Sequence, residues 1–217
     1  KSLKSPKVFY SSSACVYNMN LQSEADNVSL KEEDAYPSMP DLMYGWQKLQ
    51  SELMHQSAFE QYGLDVRIAR FHNIFGIEGT WDGGKEKYPA AISRKVAKAK
   101  DGESIVIWGD GKAKRSFLYI DECLHGIELL MNSNVRTPLN IGSDEDISVI
   151  DLARMMIRVS GKNLSIEHDL TKPEGVRGRN SNNDLIEKEL GWKPTEKLET
   201  GMRKLYSWIQ KQVECHT

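Results

Sequence analysis

Short apolar runs separated by polar and glycine-rich stretches set the pattern of this chain. Val8–Ser12 reads as a buried strand running into a serine-rich turn. Residues 18–40 are polar, contain Pro37 and Pro40, and read as a loop. From Asp41 to about Tyr62 the apolar positions Leu42, Trp46, Leu49, Leu53 and Phe59 recur near helical spacing, with Asp41 as N-cap and Gly63 as stop. Leu64–Ala69 is then a strand. Strand, helix, strand in this order is a β-α-β unit, the building block of a parallel sheet.

A glycine-rich irregular stretch follows Gly76, and a helix is predicted from about Pro89 to Lys100. Strands are predicted at Ser104–Trp108, Arg115–Ile120 and Pro138–Ile141. Helices are predicted at Asp121–Met131, Val149–Val159, Leu185–Leu190 and Leu198–Val213. The fold class is α/β: a truncated Rossmann-type parallel sheet over residues 1–76, to which later segments return, then a smaller mixed α/β domain over residues 77–217.

Composition narrows the function classes. Of the 217 residues 39% are hydrophobic and 28% charged, which fits a globular chain and not a disordered one. A net charge of -2 argues against a broad nucleic-acid face while leaving room for local basic pockets. No apolar run approaches the roughly 18 residues a membrane helix needs, and the first residues lack the apolar region of a signal peptide. Cys15, Cys123 and Cys215 are odd in number and far apart, as expected of reduced thiols in the cytoplasm. The five histidines have no ligand spacing, so no metal site is expected.

The chemistry centres on Tyr44 and Lys48. A spacing of four puts both side chains on one helical face. A phenol is a poor base at neutral pH, and an ammonium one turn away favours its ionised form. By itself the pair also fits an amphipathic surface helix. Its context is more specific. Ser11-Ser12-Ser13-Ala14-Cys15 and Arg70-Phe71-His72-Asn73 each stand at the carboxyl end of a strand, where open parallel sheets bind ligands. Gly109-Asp110-Gly111, Arg115-Ser116-Phe117 and Leu190-Gly191-Trp192 follow in order.

This ordered series resembles the nucleotide-sugar epimerases and dehydratases of the extended short-chain dehydrogenase/reductase family, from Val8 to Ile209. Three segments, SSACVY, GTWDGGKEKYPAAISRK and PEGVRGRNS, resemble the branch of that family that epimerises GDP-mannose at C3 and C5. The resemblance implies NAD as cofactor, a GDP-sugar as substrate, no membrane or nucleic-acid partner, and a homodimer. It implies that Tyr44 is the base for the sugar hydroxyl, that Lys48 tunes it, and that Ser13 holds the oxidised oxygen. Ser11, Ser12, Phe71 and His72 would join Tyr44 and Lys48 around the cofactor. Cys15 and Lys87 would form the acid/base pair on opposite faces of the sugar. Ser13, Ala14, Cys15, Asn73, Glu86, Lys87, Tyr88, Lys95, Arg115 and Arg177 would bind the nucleotide sugar, with Arg179 either a second phosphate contact or part of a solvated turn. A ketone at C4 acidifies the C–H bonds at C3 and C5, and inverting either centre takes one group to remove a proton and another to deliver one.

Two departures stand out. The resembled branch has Gln where this chain has Ala113. No glycine fingerprint for a dinucleotide pyrophosphate follows a strand anywhere in the 217 residues. The chain is therefore read as the carboxyl-terminal portion of a longer enzyme and is expected to be inactive alone. A UDP-sugar 4-epimerase or decarboxylase of the same family, or a non-catalytic sugar-nucleotide binder, are the competing expectations.

Overall fold

The computed structural model describes residues 6–26, 29–40, 42–173 and 175–216. Asp41, the expected N-cap, lies outside the described residues. In chain order the elements are β1 (Val8–Ser13), α1 (Leu42–Tyr62), β2 (Val66–Phe71), β3 (Ile74–Phe75), α2 (Tyr88–Lys98), β4 (Ser104–Trp108), β5 (Lys114–Ser116) and β6 (Leu118–Tyr119). Then come α3 (Ile120–Asn132), β7 (Leu139–Ile141), β8 (Asp146–Ser148), α4 (Val149–Ser160), β9 (Ser165–Asp169), β10 (Gly178–Arg179), α5 (Asp184–Leu190) and α6 (Leu198–Cys215). No described helix is long and apolar enough to cross a membrane.

The order β1-β2-β7 makes a parallel three-stranded sheet, in register from Val8 opposite Val66 to Ser13 opposite Phe71. Segment 139–141 thus returns to the sheet begun by the first residues. Beneath it Ala69, Leu118, Cys123, Leu130, Leu139, Ile141, Ile186 and Trp192 form one buried cluster. A second sheet, β10-β5-β8, and the pairs β3-β6 and β4-β9 complete the strands. Helices α2, α4 and α6 pack together over Ile92, Val96, Met156, Met202, Leu205 and Ile209. Leu198, Met202, Leu205 and Ile209 recur at helical spacing, so one apolar stripe of α6 enters that core.

Three sequence expectations are corrected. In α1 the expected apolar face is Leu42, Trp46, Leu49, Leu53 and Phe59, yet of these Leu49 alone is buried. The inward face is Gly45, Leu49 and Glu52, because the helix lies against backbone at Gly45 and buries an ion pair at Glu52. The single strand expected over 115–120 breaks at Phe117 into β5 and β6, and Ile120 already begins α3. Strands β3, β8, β9 and β10 had no counterpart in the sequence reading. The described residues of the expected loop over 18–40 include two short 3-10 turns, Met19–Gln22 and Glu32–Ala35, and isolated bridges from Asn18 to Pro40 and from Leu30 to Ser181.

Candidate active site

Helix α1 brings Tyr44 and Lys48 to the carboxyl end of β1. Lys48 Nζ donates to the Ser11 carbonyl oxygen at 2.8 Å and lies 5.6 Å from the centre of the Tyr44 ring. Tyr10 presents its ring to the same ammonium at 5.2 Å. Tyr44 itself is 51% exposed.

The serine cluster divides by direction. Ser13 Oγ accepts from Cys15 N at 3.2 Å and starts a 3-10 turn over Ala14–Val16. Ala14, Val16 and Tyr17 are buried by that turn, which leaves Cys15 half-buried at the surface. The Cys15 sulfur meets Arg179 Nη1 at 3.3 Å. Ser12 points the other way. Its hydroxyl is buried and donates to Glu52 Oε1, whose carboxylate also pairs with Arg70 at 2.7 Å.

Two more expected cofactor residues turn inward. His72 is fully buried and its Nε2 shares a 2.9 Å hydrogen bond with Asn140 Oδ1. Burial drives its pKa down to about 3, so the imidazole is neutral. The Phe71 ring packs on Phe9, 6.1 Å between centres, in the cluster under the sheet. The side chains of Ser12, Phe71 and His72 therefore brace the strand ends from within.

A cavity of about 480 Å³ opens beyond β2, and Asn73, Glu86, Lys87, Tyr88, Lys95 and Arg115 all line it. These are six of the expected nucleotide-sugar residues, scattered over 43 positions in sequence (73 to 115 inclusive). Asn73 adopts positive φ (47°), which turns its side chain so that Nδ2 donates to the Ser116 carbonyl at 2.9 Å. Lys87 stands just before the first turn of α2. Glu86 binds Arg94 through Oε1, while its buried Oε2 has no protein partner. Lys95 donates to the Val106 carbonyl at 2.7 Å, and burial, with Arg94 close by, lowers its pKa. The Tyr88 hydroxyl donates to the Val149 carbonyl at 2.7 Å, and burial raises its pKa. Arg115 donates to the backbone carbonyls of Lys114 and Arg177 at 2.6 and 3.3 Å.

The described lining does not include Ser13, Ala14, Cys15 or Arg177. Arg177, just before β10, forms a two-point ion pair with Asp110, both contacts 3.1 Å. Trp108 and Phe117 line the cavity without having been expected there, and Ala113, where the resembled branch has Gln, lines it too. Trp108, 54% exposed at the end of β4, could have been found from an aromatic followed at once by a Gly-Asp-Gly turn.

These features are joined through the strands. Ser13 pairs with Phe71, two residues before the cavity residue Asn73, and Arg179 pairs with the cavity residue Arg115. Over this region, residues 1–142 match the NAD dependent epimerase/dehydratase family. The chain belongs to that family. Among its members, GDP-mannose 3,5-epimerase of Arabidopsis thaliana is 48% identical over 208 residues, covering 96% of this chain and 54% of the relative. UDP-glucuronic acid decarboxylase 1 of Xenopus tropicalis is 29% identical over 178 residues, covering 82% of this chain and 41% of the relative. The chain spans about half the length of the curated relatives it matches. The crystal structure of UDP-glucose 4-epimerase from Thermotoga maritima superposes with a TM-score of 0.83 at 21% identity, covering 95% of this chain and 64% of that one. It shares the fold.

Proposed function

We propose that this chain carries the proton-transfer and substrate-binding machinery of an NAD-dependent GDP-mannose 3,5-epimerase working through a 4-keto intermediate. The observation that carries the reading is the convergence of Tyr44, Lys48 and the Cys15 turn on the strand ends next to a basic cavity holding Lys87, Lys95 and Arg115. The 48% identity to the Arabidopsis thaliana enzyme supports the choice of branch.

The residues fit one end of NAD. Lys48 uses one proton on Ser11 and keeps the others for a ribose at the open strand ends, with Tyr44 exposed beside it. The pyrophosphate end has no fitting partner here, since no glycine fingerprint follows a strand in these 217 residues. When bound, NAD supplies the hydride acceptor for sugar C4 and returns the hydride at the end. Tyr44 takes the C4 hydroxyl proton as that bond becomes a carbonyl, and the Ser13 hydroxyl donates to the carbonyl oxygen. One of Cys15 and Lys87 then removes a proton from C3 or C5, the electron pair moves to the C4 oxygen, and the other delivers a proton to the opposite face. Lys95 and Arg115 give the diphosphate its cationic wall.

The test is the complete protein acting on GDP-mannose in D₂O. Deuterium should enter C3 and C5 and not C4, because only the C3 and C5 hydrogens leave as protons. Tyr44→Phe should slow turnover by roughly 10²–10⁴-fold, as for a lost general base. Interconversion of C4 epimers with no solvent deuterium would replace this reading with a 4-epimerase.

We also infer a homodimer in the cytoplasm. The exposed apolar positions Leu42, Met43, Trp46, Leu53 and Met54 of α1 support a covered face, and the free thiols Cys15, Cys123 and Cys215 support a reducing compartment. A complete protein that sediments as a monomer, or one isolated with its cysteines oxidised, would count against the respective inference.

A further inference from the structure

Cys15 does not stand alone. Arg179 Nη1 approaches its sulfur at 3.3 Å, while Arg179 Nε donates to Gln22 Oε1 at 2.5 Å. Gln22 is fully buried, its amide nitrogen bonded to the carbonyls of Tyr17 and Asn18 at 3.4 and 3.3 Å. Its own carbonyl accepts from Arg177 N at 2.9 Å. One end of the guanidinium is thus anchored on a buried amide, and the other is aimed at the sulfur. The strand that carries it, β10, sets Arg179 opposite Arg115, a residue of the cavity wall. Arg179 therefore spans the gap between the turn that holds Cys15 and the cavity that holds Lys87.

We propose that Arg179 is a positioning residue for Cys15, holding its sulfur in a fixed direction and supplying the hydrogen-bond donor that meets negative charge on it. This rests on the reading of Cys15 as one of the proton-transfer pair. When Cys15 acts as acid, its S–H bond breaks and the enolate electron pair forms the new C–H bond. The 4-keto carbonyl is restored, and the negative charge passes to sulfur. When Cys15 acts as base the same steps run backwards. Arginine stays protonated throughout, and a charged donor on an anionic acceptor is roughly twice as strong as a neutral pair. The same guanidinium could instead be a contact for the substrate diphosphate, or merely a staple between two segments, and kinetics separates the three.

The experiment uses the complete protein with GDP-mannose in D₂O, comparing Arg179→Met and Arg179→Lys with the parent. The positioning role predicts that Arg179→Met lowers kcat for deuterium entry at C3 and C5 about a hundredfold while KM moves less than about threefold. Arg179→Lys, which restores charge but cannot hold Gln22 and the sulfur together, should recover part of that loss. Alkylation of Cys15 by iodoacetamide in substrate-free protein should slow in Arg179→Met and recover partly in Arg179→Lys. A large rise in KM with kcat kept would make Arg179 a diphosphate contact and overturn the proposal. Equal kcat and equal alkylation in both variants would overturn it as well. If Arg179→Met does not fold, the comparison rests on Arg179→Lys, whose kcat and alkylation rate must both fall below the parent's or the proposal fails. Cys15→Ala separates the two layers. If it leaves exchange intact, the role of Cys15 falls, whereas if it abolishes exchange that Arg179→Met leaves untouched, only the role of Arg179 falls.

Discussion

Gly45 of α1 lies directly on the carbonyl of Cys15: a Cβ added to Gly45 would stand 2.2 Å from Cys15 O and 2.9 Å from Pro40 Cβ. The nearest obstacle is backbone, which no rotamer change can clear. Only glycine lets the helix bearing Tyr44 and Lys48 rest on the turn bearing Cys15. Gly45→Ala must push the two apart, at a cost of about 1–3 kcal/mol for overpacking. Urea unfolding should show a lower midpoint at an unchanged slope, and a midpoint equal to the parent's would show that this contact does not seat the helix.

The pair Glu52–Arg70 holds the same helix to β2 from inside. Arg70 Nη2 meets Glu52 Oε2 at 2.7 Å and Nε meets Oε1 at 3.0 Å, with both side chains buried. Removing one partner strands a buried charge, so Glu52→Ala should destabilise by about 3–5 kcal/mol. The double variant Glu52→Ala/Arg70→Met should lose clearly less than the sum of the two single losses. Additive losses in chemical denaturation would mean the charges are not coupled.

The three thiols should separate by reactivity. Cys123 is buried and burial pushes its pKa up to about 12, so it stays a protonated thiol at neutral pH. Cys215 is exposed and Cys15 is half-buried. Mass spectrometry of the folded chain after brief iodoacetamide treatment should find Cys215 and Cys15 modified and Cys123 intact until denaturant is added. Early modification of Cys123 would contradict the packing beneath the sheet.

His72 gives the fold a pH dependence of known sign. Its folded pKa, about 3, lies below the ordinary 6.5. Below pH 6.5 the unfolded chain therefore binds a proton that the folded chain refuses. The contribution is complete above pH 6.5 and is lost as pH falls from there towards 3, at a slope approaching about 1.4 kcal/mol per unit. Glu32, whose carboxyl is raised by burial, works in the opposite sense at lower pH, so the comparison with a variant is the useful measurement. Between pH 7.5 and 5 the parent should lose roughly 2 kcal/mol more than His72→Gln. Parallel losses would mean the imidazole is not held neutral.

Helices α2, α4 and α6 were legible because each turns one apolar stripe to a common core, as Met202, Leu205 and Ile209 do in α6. The orientation of α1 was not, since its inward face is a glycine, a leucine and a carboxylate whose partner Arg70 is 18 residues away. Strands of two or three residues, such as β3, β8 and β10, are too short to carry an alternating pattern. In the site, Tyr44 and Lys48 declare themselves by a spacing that one helix enforces. The pairing of Arg177 with Asp110, and the approach of Arg179 to Cys15, depend on contacts 67 and 164 residues apart in sequence. The inward turn of Ser12 and His72 depends on Glu52 and Asn140, which nothing near them in the chain announces.

Gln22 accepts from the backbone of Arg177 and from the side chain of Arg179, and Leu30 bridges to Ser181. Two stretches more than 150 residues apart (22 to 177) are in effect one module. A chimera that grafts residues 173–181 into a related enzyme without residues 13–30 leaves the guanidinium unanchored, and the reverse graft leaves a buried amide facing an empty place. A segment swap between relatives keeps these contacts only if both stretches move at once.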